Sequence, residues 1–189
     1  MIGALRAYER EVTISGPGVT LPGILGLPNG AIGAVLFAHG SGSGRFSPRN
    51  NAVARTLHDA RLATLLVDLL TEQESSDRRN VFDIRLLAER LELCTAWLGQ
   101  NQETGSLAIG YFGASTGAAA ALVAAAELGN DIRAVVSRGG RPDLAGDYLD
   151  DVQSPTLLIV GGEDRAVIVL NEQAFARLHC TKQLVIVPG

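Results

Sequence analysis

An α/β fold with a mostly parallel sheet is predicted by three features of the sequence. Apolar runs of strand length recur at Ala31–Ala38, Ala63–Leu69, Leu107–Phe112 and Pro155–Gly161. Segments with helical character stand between them, and polar or glycine-rich turns follow their carboxyl ends. A strand apolar at every residue is one covered on both faces by helices. Alternating strands and helices close through right-handed crossovers, which gathers the loops after the strands at one edge of the sheet, where sites of open α/β sheets lie.

The 189 residues suit one domain with one core. A hydrophobic fraction of 47% beside 19% charged residues describes a globular chain with a substantial interior. No apolar run approaches the ~18 residues of a membrane span, and the first residues lack the basic-then-apolar build of a signal peptide, so no membrane contact and a cytoplasmic location are expected. A net charge of −4 with scattered arginines argues against nucleic acid as a partner. Cys94 and Cys180 stand apart with no C-x-x-C spacing or histidine cluster, so they read as core residues; no metal and no cofactor are expected.

Taken in order, Glu11–Ile14 and Leu21–Leu27 flank the Gly16-Pro17-Gly18 turn and read as an antiparallel hairpin. The run Ala31–Ala38 leads into the loop His39–Asn51, HGSGSGRFSPRNN, and a helix from about Pro48 to Ala60, where proline suits the first turn. His58 in that helix is expected at the solvent. After Ala63–Leu69, a charged loop Thr71–Arg79 precedes a helix over Val81–Leu98. Further strands are expected at Asp131–Ser137 and Gln183–Val187, with a helix over Ala166–Leu178.

The stretch Leu107–Leu128 organises the rest. A short strand ends in Gly113-Ala-Ser115-Thr-Gly117, and an alanine-rich helix starts at once. G-x-S-x-G between strand and helix is the nucleophile-elbow pattern, in which the serine sits in a strained turn above the sheet. The flanking glycines are needed because a Cβ there would meet the neighbouring strand and helix. The plainer reading makes Ser115 an N-cap of the Thr116–Leu128 helix; it leaves Gly113 unexplained.

An apolar strand ending in His39-Gly40, the elbow at Ser115, and Gly161-Gly162-Glu163-Asp164 after a later apolar strand together resemble the α/β-hydrolase superfamily. The compact form, without room for a lid domain, resembles its dienelactone-hydrolase-like branch. The resemblance covers about residues 10 to 189. It implies an α/β-hydrolase fold with N-terminal antiparallel strands and helices on both faces. It further implies Ser115 as nucleophile, Asp164 as the acid that orients a catalytic histidine, and the backbone N–H groups of Ser41 and Thr116 as the oxyanion hole. Dienelactone hydrolases proper use a cysteine nucleophile. Ser115 departs from that pattern, so the expected activity is hydrolysis of small carboxylic esters or lactones through an acyl-enzyme. The expected partner is a small-molecule ester, and a homodimer is compatible with a chain of this size.

In this superfamily the catalytic histidine lies in the loop after the last strand, and the sequence ends at Pro188-Gly189, where that loop starts. The 189 residues therefore read as a truncated domain, with the histidine and a terminal helix expected beyond Gly189. His39 reads as a hydrogen-bonded loop residue near the site, and His179 falls toward the opposite edge. Asp164 has a simpler role open to it, capping the helix that starts near Ala166; Asp143 is the weaker alternative acid. Arg138, after its strand, is a candidate pocket residue that would pair with an anionic substrate, against an ordinary surface ion pair. Two other classes remain. Gly40, Gly42 and Gly44 with Asp68 suggest a dinucleotide-binding domain, although the spacing is not G-x-G-x-x-G. The absent histidine suggests a non-catalytic binding module on the same fold.

Overall fold

The computed structural model describes residues 8–188. The hairpin comes first, as β1 (Tyr8–Gly16) and β2 (Val19–Leu27), turning at Gly18, whose φ of +71° suits glycine. Then follow β3 (Gly33–Ala38), α1 (Pro48–Asp59), β4 (Leu62–Val67), α2 (Glu72–Ser75), α3 (Arg78–Val81), α4 (Ile84–Gln100), β5 (Ala108–Ser115) and α5 (Thr116–Leu128). The chain continues through β6 (Ile132–Gly140), a 3₁₀ segment (Pro142–Asp151), β7 (Thr156–Gly161), α6 (Arg165–Arg177) and β8 (Lys182–Val187).

The eight strands form one sheet in the order β1-β2-β4-β3-β5-β6-β7-β8. β1 and β2 pair antiparallel, β2 meets β4 antiparallel, and every pairing from β4 through β3 to β8 is parallel. The carboxyl ends of β3, β4, β5, β6 and β7 therefore share one edge, carrying the loops singled out by sequence.

The two faces are covered unequally. On one, α4 and α5 pack over a core that includes Leu36, Leu65, Leu91, Tyr111 and Leu122, all 0–1% exposed. Ala118–Ala125 of α5 are all buried; small side chains let this helix lie close to the strands. Truncating a fully buried leucine such as Leu122 would cost about 2–5 kcal/mol, since the site cannot collapse between sheet and helix. On the other face α1 covers a smaller cluster of Phe37, Ala54, Leu66 and Phe112.

Three expectations change. The loop expected at Thr71–Arg79 contains α2 and the first half of α3, because Thr71 and Glu74 form a reciprocal capping box and Asp77 caps the next turn. The helix expected from Val81 starts at Ile84, where the Asp83 carboxylate accepts the Leu86 N–H at 3.0 Å. His58 is 7% exposed rather than solvated: its Nε2 lies 2.7 Å from the Thr64 hydroxyl, and the missing side chain of Gly26 leaves room for the ring. Burial holds its pKa below the usual histidine range, against the opposing pull of Glu9 and Asp59.

Candidate active site

Ser115 ends β5 and precedes α5 with φ +52° and ψ −127°, one of two described non-glycine residues at positive φ. Such a conformation costs on the order of 1–3 kcal/mol and persists only where its surroundings over-determine it. Those surroundings are visible. A Cβ on Gly117 would stand 2.1 Å from the Ala38 carbonyl oxygen, and one on Gly113 2.5 Å from the Ala118 Cα. The Arg141 N–H donates to the Ser115 carbonyl at 3.0 Å and fixes the turn from the β6 side. The Ser115 side chain makes no capping bond to α5 and is exposed, so the N-cap reading fails.

The loop from His39 crosses directly over this turn. A Cβ on Gly40 would lie 2.6 Å from the Ser115 Cβ and 3.4 Å from its Oγ, a close approach that only glycine permits. Among the described residues the Ser41 N–H has no hydrogen-bond partner, and the Thr116 N–H, at the first position of α5, has none within the helix. Both flank the Ser115 turn. Two groups pin the loop. The Asp68 carboxylate, just past β4, accepts the Arg45 N–H at 2.7 Å and pairs with the Arg45 guanidinium. His39 accepts the Leu69 N–H at Nε2 (3.2 Å) and donates from Nδ1 to the Gly40 carbonyl at 3.0 Å. Accepting at Nε2 makes His39 the neutral Nδ1–H tautomer with both nitrogens engaged, which removes it as a base. Asp68 in turn is not open to a ribose, which removes the support for a dinucleotide site.

Two cavities flank the loop. One, about 600 Å³, is lined by Gly40–Gly44, Ser47–Asn50, Ala114, Ser115, Arg138 and Gly139. The other, about 690 Å³, is lined by His39–Arg45, Asp68, Leu70, Thr71, Val81, Leu87 and Thr116, among others. The buried Thr116 hydroxyl has no partner there. Arg138 thus does reach a cavity with Ser115, and His39 lines the other one. Arg138 is half-buried, its Nη2 donates to Asn50 Oδ1 at 3.3 Å, and its guanidinium lies 5.9 Å from the Phe112 ring centroid. Desolvation, with the nearby charge of Arg49, lowers its pKa from the usual arginine value.

Asp164 follows β7 at the same sheet edge and is exposed; it caps α6 by accepting the Val167 N–H at 3.3 Å. Two strand spacings separate β7 from β5, roughly 10 Å. Asp143 is paired with Arg141 through two hydrogen bonds of 2.9 and 2.8 Å. His179 lies between α6 and β8, at the amino-terminal edge of the sheet, beside Asp150 and Cys180.

One supporting residue escapes sequence reasoning. Asn171 of α6 is fully buried, and its Nδ2 donates to the Gly140 carbonyl at 3.1 Å and to Val167 O at 2.8 Å. Gly140 is the register partner of Ser115, so α6 is tied to the far side of the elbow. The one signal for it is an asparagine on the apolar side of an amphipathic helix.

No protein-family model matches the chain. The chain is 57% identical over 185 residues to two Mycobacterium tuberculosis proteins that carry the provisional name phosphoribosyl transferase; the match takes in 98% of this chain and 41% of theirs. The chain thus spans well under half the length of these curated relatives. It is 56% identical to a dienelactone hydrolase of Anabaena variabilis of known structure, covering 97% of this chain and 87% of that one with a TM-score of 0.94. The fold alone is shared with Est1E from Butyrivibrio proteoclasticus (17% identity, 95% and 88% covered, TM-score 0.80). It is shared likewise with a cold-adapted esterase from an Arctic intertidal metagenomic library (18% identity, 98% and 86% covered, TM-score 0.77).

Proposed function

The chain belongs to the dienelactone-hydrolase branch of the α/β-hydrolase superfamily, and from that premise we propose that it is a serine hydrolase acting on small carboxylic esters or lactones. The observation that carries the reading is Ser115: a non-glycine residue held at φ +52°, exposed, and released from any capping bond. The Ser115 Oγ attacks the ester carbonyl carbon, and the oxyanion that forms is received by the Ser41 and Thr116 N–H groups. The carbon–oxygen bond to the alcohol breaks, the alcohol leaves with a proton, and water then releases the acid and restores Ser115. The two cavities give the acyl and alcohol parts separate places on either side of the loop.

Asp164, at the same sheet edge two strands from Ser115, is the residue we assign to orienting the base. None of the three histidines takes the role of base: His39 is held at both nitrogens, His58 is buried against Thr64, and His179 lies at the opposite edge. No base is assigned among these three, so the assay uses the protein as its gene encodes it. There Ser115→Ala should lower kcat for a short activated ester on the order of 10⁶-fold, as for a residue that acts as one unit with its base. Equal rates for parent and Ser115→Ala would end the hydrolase reading, and no turnover by either would favour the non-catalytic binding module.

A further inference from the structure

The walls of the cavity beside Ser115 carry two guanidinium groups, Arg49 and Arg138, and no carboxylate, in a chain of net charge −4. Elsewhere among the described residues, half-buried arginines have carboxylate partners: Arg10 with Glu103, Arg45 with Asp68, Arg90 with Glu74, Arg141 with Asp143, and Arg177 with Asp147 and Asp150. Arg138 has only the neutral Asn50 amide oxygen. Its Nη1 makes no hydrogen bond among the described residues, and Arg49, exposed at the second turn position of α1, has no ion-pair partner among them either. Two cations facing one space repel each other; Arg49 adds to desolvation in lowering the Arg138 pKa. Such an arrangement is stable when an anion completes it.

We infer that this cavity is a subsite for a phosphate monoester dianion carried by the substrate, held between Arg49 and Arg138 while the ester group lies over Ser115. The inference rests on the serine-hydrolase reading for its ester and on the cavity alone for its anion. A dianion matches two guanidiniums in charge, whereas a single carboxylate would leave one positive charge in a partly desolvated site. Donors suit a phosphoryl group in number as well as charge. The hydroxyls of Ser43 and Ser47 line the same wall, and the first turn of the 12-residue α1 opens onto it. A volume of about 600 Å³ falls within the ~300–1,000 Å³ of small-molecule pockets.

The test is a calorimetric titration of phenyl phosphate into the full-length protein and its Arg49→Gln and Arg138→Gln variants, with benzoate as the monoanion of similar shape. Phenyl phosphate should bind the parent at least tenfold more tightly than benzoate, and each variant should lose at least tenfold of that affinity. Arg49 is exposed, so its variant keeps the fold even if Arg138→Gln does not. Affinity should rise from pH 5 to pH 8 as the monoester takes its second charge near pH 6. Equal binding of benzoate and phenyl phosphate would replace the phosphate with a carboxylate; unchanged affinity in Arg49→Gln, or no binding by the parent, would overturn the subsite. No part of this readout requires turnover. Failure of the Ser115 assay therefore leaves the subsite standing, and failure of the titration leaves the hydrolase standing.

Discussion

The two cavities on either side of Gly40–Gly44 share a wall and differ in how their charges are settled. On the Asp68 side the one arginine is neutralised inside the protein: Arg45 is bonded to Asp68 through both its backbone N–H and its guanidinium. On the Ser115 side Arg49 and Arg138 face the space with no carboxylate. The same residue type thus does two jobs within one loop region. Where an arginine has a built-in counter-charge it fixes the loop, and where it has none it is left for a ligand. The closed pair carries structure, and the open pair carries specificity.

Changing the shared wall should disturb both sides at once and is the strongest way to break the comparison. Gly40→Ala places a methyl group against the Ser115 Cβ, so the loop and Ser115 must part. Displacing one oxyanion donor costs about 10²–10³ in kcat, and this substitution should cost at least that. A Gly40→Ala enzyme with normal ester turnover would show that the loop does not form the oxyanion site.

Breaking only the closed side should give a smaller and different effect. Asp68→Ala removes the partner of two Arg45 donors, a loss of about 1–3 kcal/mol for bonds to a charged group. That predicts a melting temperature lower by a few degrees, at about 2–4 °C per kcal/mol. Turnover of neutral esters should fall on the order of tenfold as the loop loosens. Unchanged melting and unchanged turnover would mean that His39 alone holds the loop.

The smallest effect should come from a charge pair remote from both cavities. Glu92 on α4 is partly buried against α5, and burial together with the Glu127 carboxylate pushes its pKa up to about 7. A raised carboxyl pKa means that the folded state holds a proton which the unfolded state has released. The contribution is therefore favourable at low pH and lost as pH rises from about 4.5 toward 7. Glu92→Gln should raise stability by about 1 kcal/mol at pH 8, after discounting for solvent screening, and by nearly nothing at pH 4.5. Denaturant melts at the two pH values check this. A gain of equal size at both would assign it to packing rather than to charge.

How far the sequence reaches is clearest residue by residue. The strands β3, β4, β5 and β7 are legible because burial on both faces leaves their runs almost wholly apolar, with Thr64 and Thr156 as buried exceptions, and α5 because its alanines admit one close packing. The elbow was legible in Gly113, Ser115 and Gly117 for steric reasons that the coordinates repeat at Ala118 and Ala38. His58 was not, because its burial depends on Gly26, a residue far away in sequence whose lack of a side chain makes the space. Asp68 reads from the sequence as a strand-end acid that would hold a ribose only under the competing dinucleotide reading, since nothing in the sequence says that Arg45 reaches it. The short helix α2 is readable in principle from Thr71-x-x-Glu74. The basic cavity is legible only in part: Arg138 reads as a pocket residue from its place after a strand, but its pairing with Arg49 and the absence of a counter-charge are properties of three-dimensional neighbours.

The backward twist at Ser115 also bears on how the protein changes over generations. Glycine occupies φ near +52° without strain, so Ser115→Gly should relax the turn and make the chain more stable while removing the hydroxyl. Most random substitutions lower stability, and proteins drift near the threshold they need. Serine at this position is therefore held against a standing thermodynamic bias toward glycine. Under the proposed serine-hydrolase reading, a lineage released from selection for ester cleavage would see position 115 among the first to drift, and a glycine there would mark a copy of this fold that has left that chemistry behind.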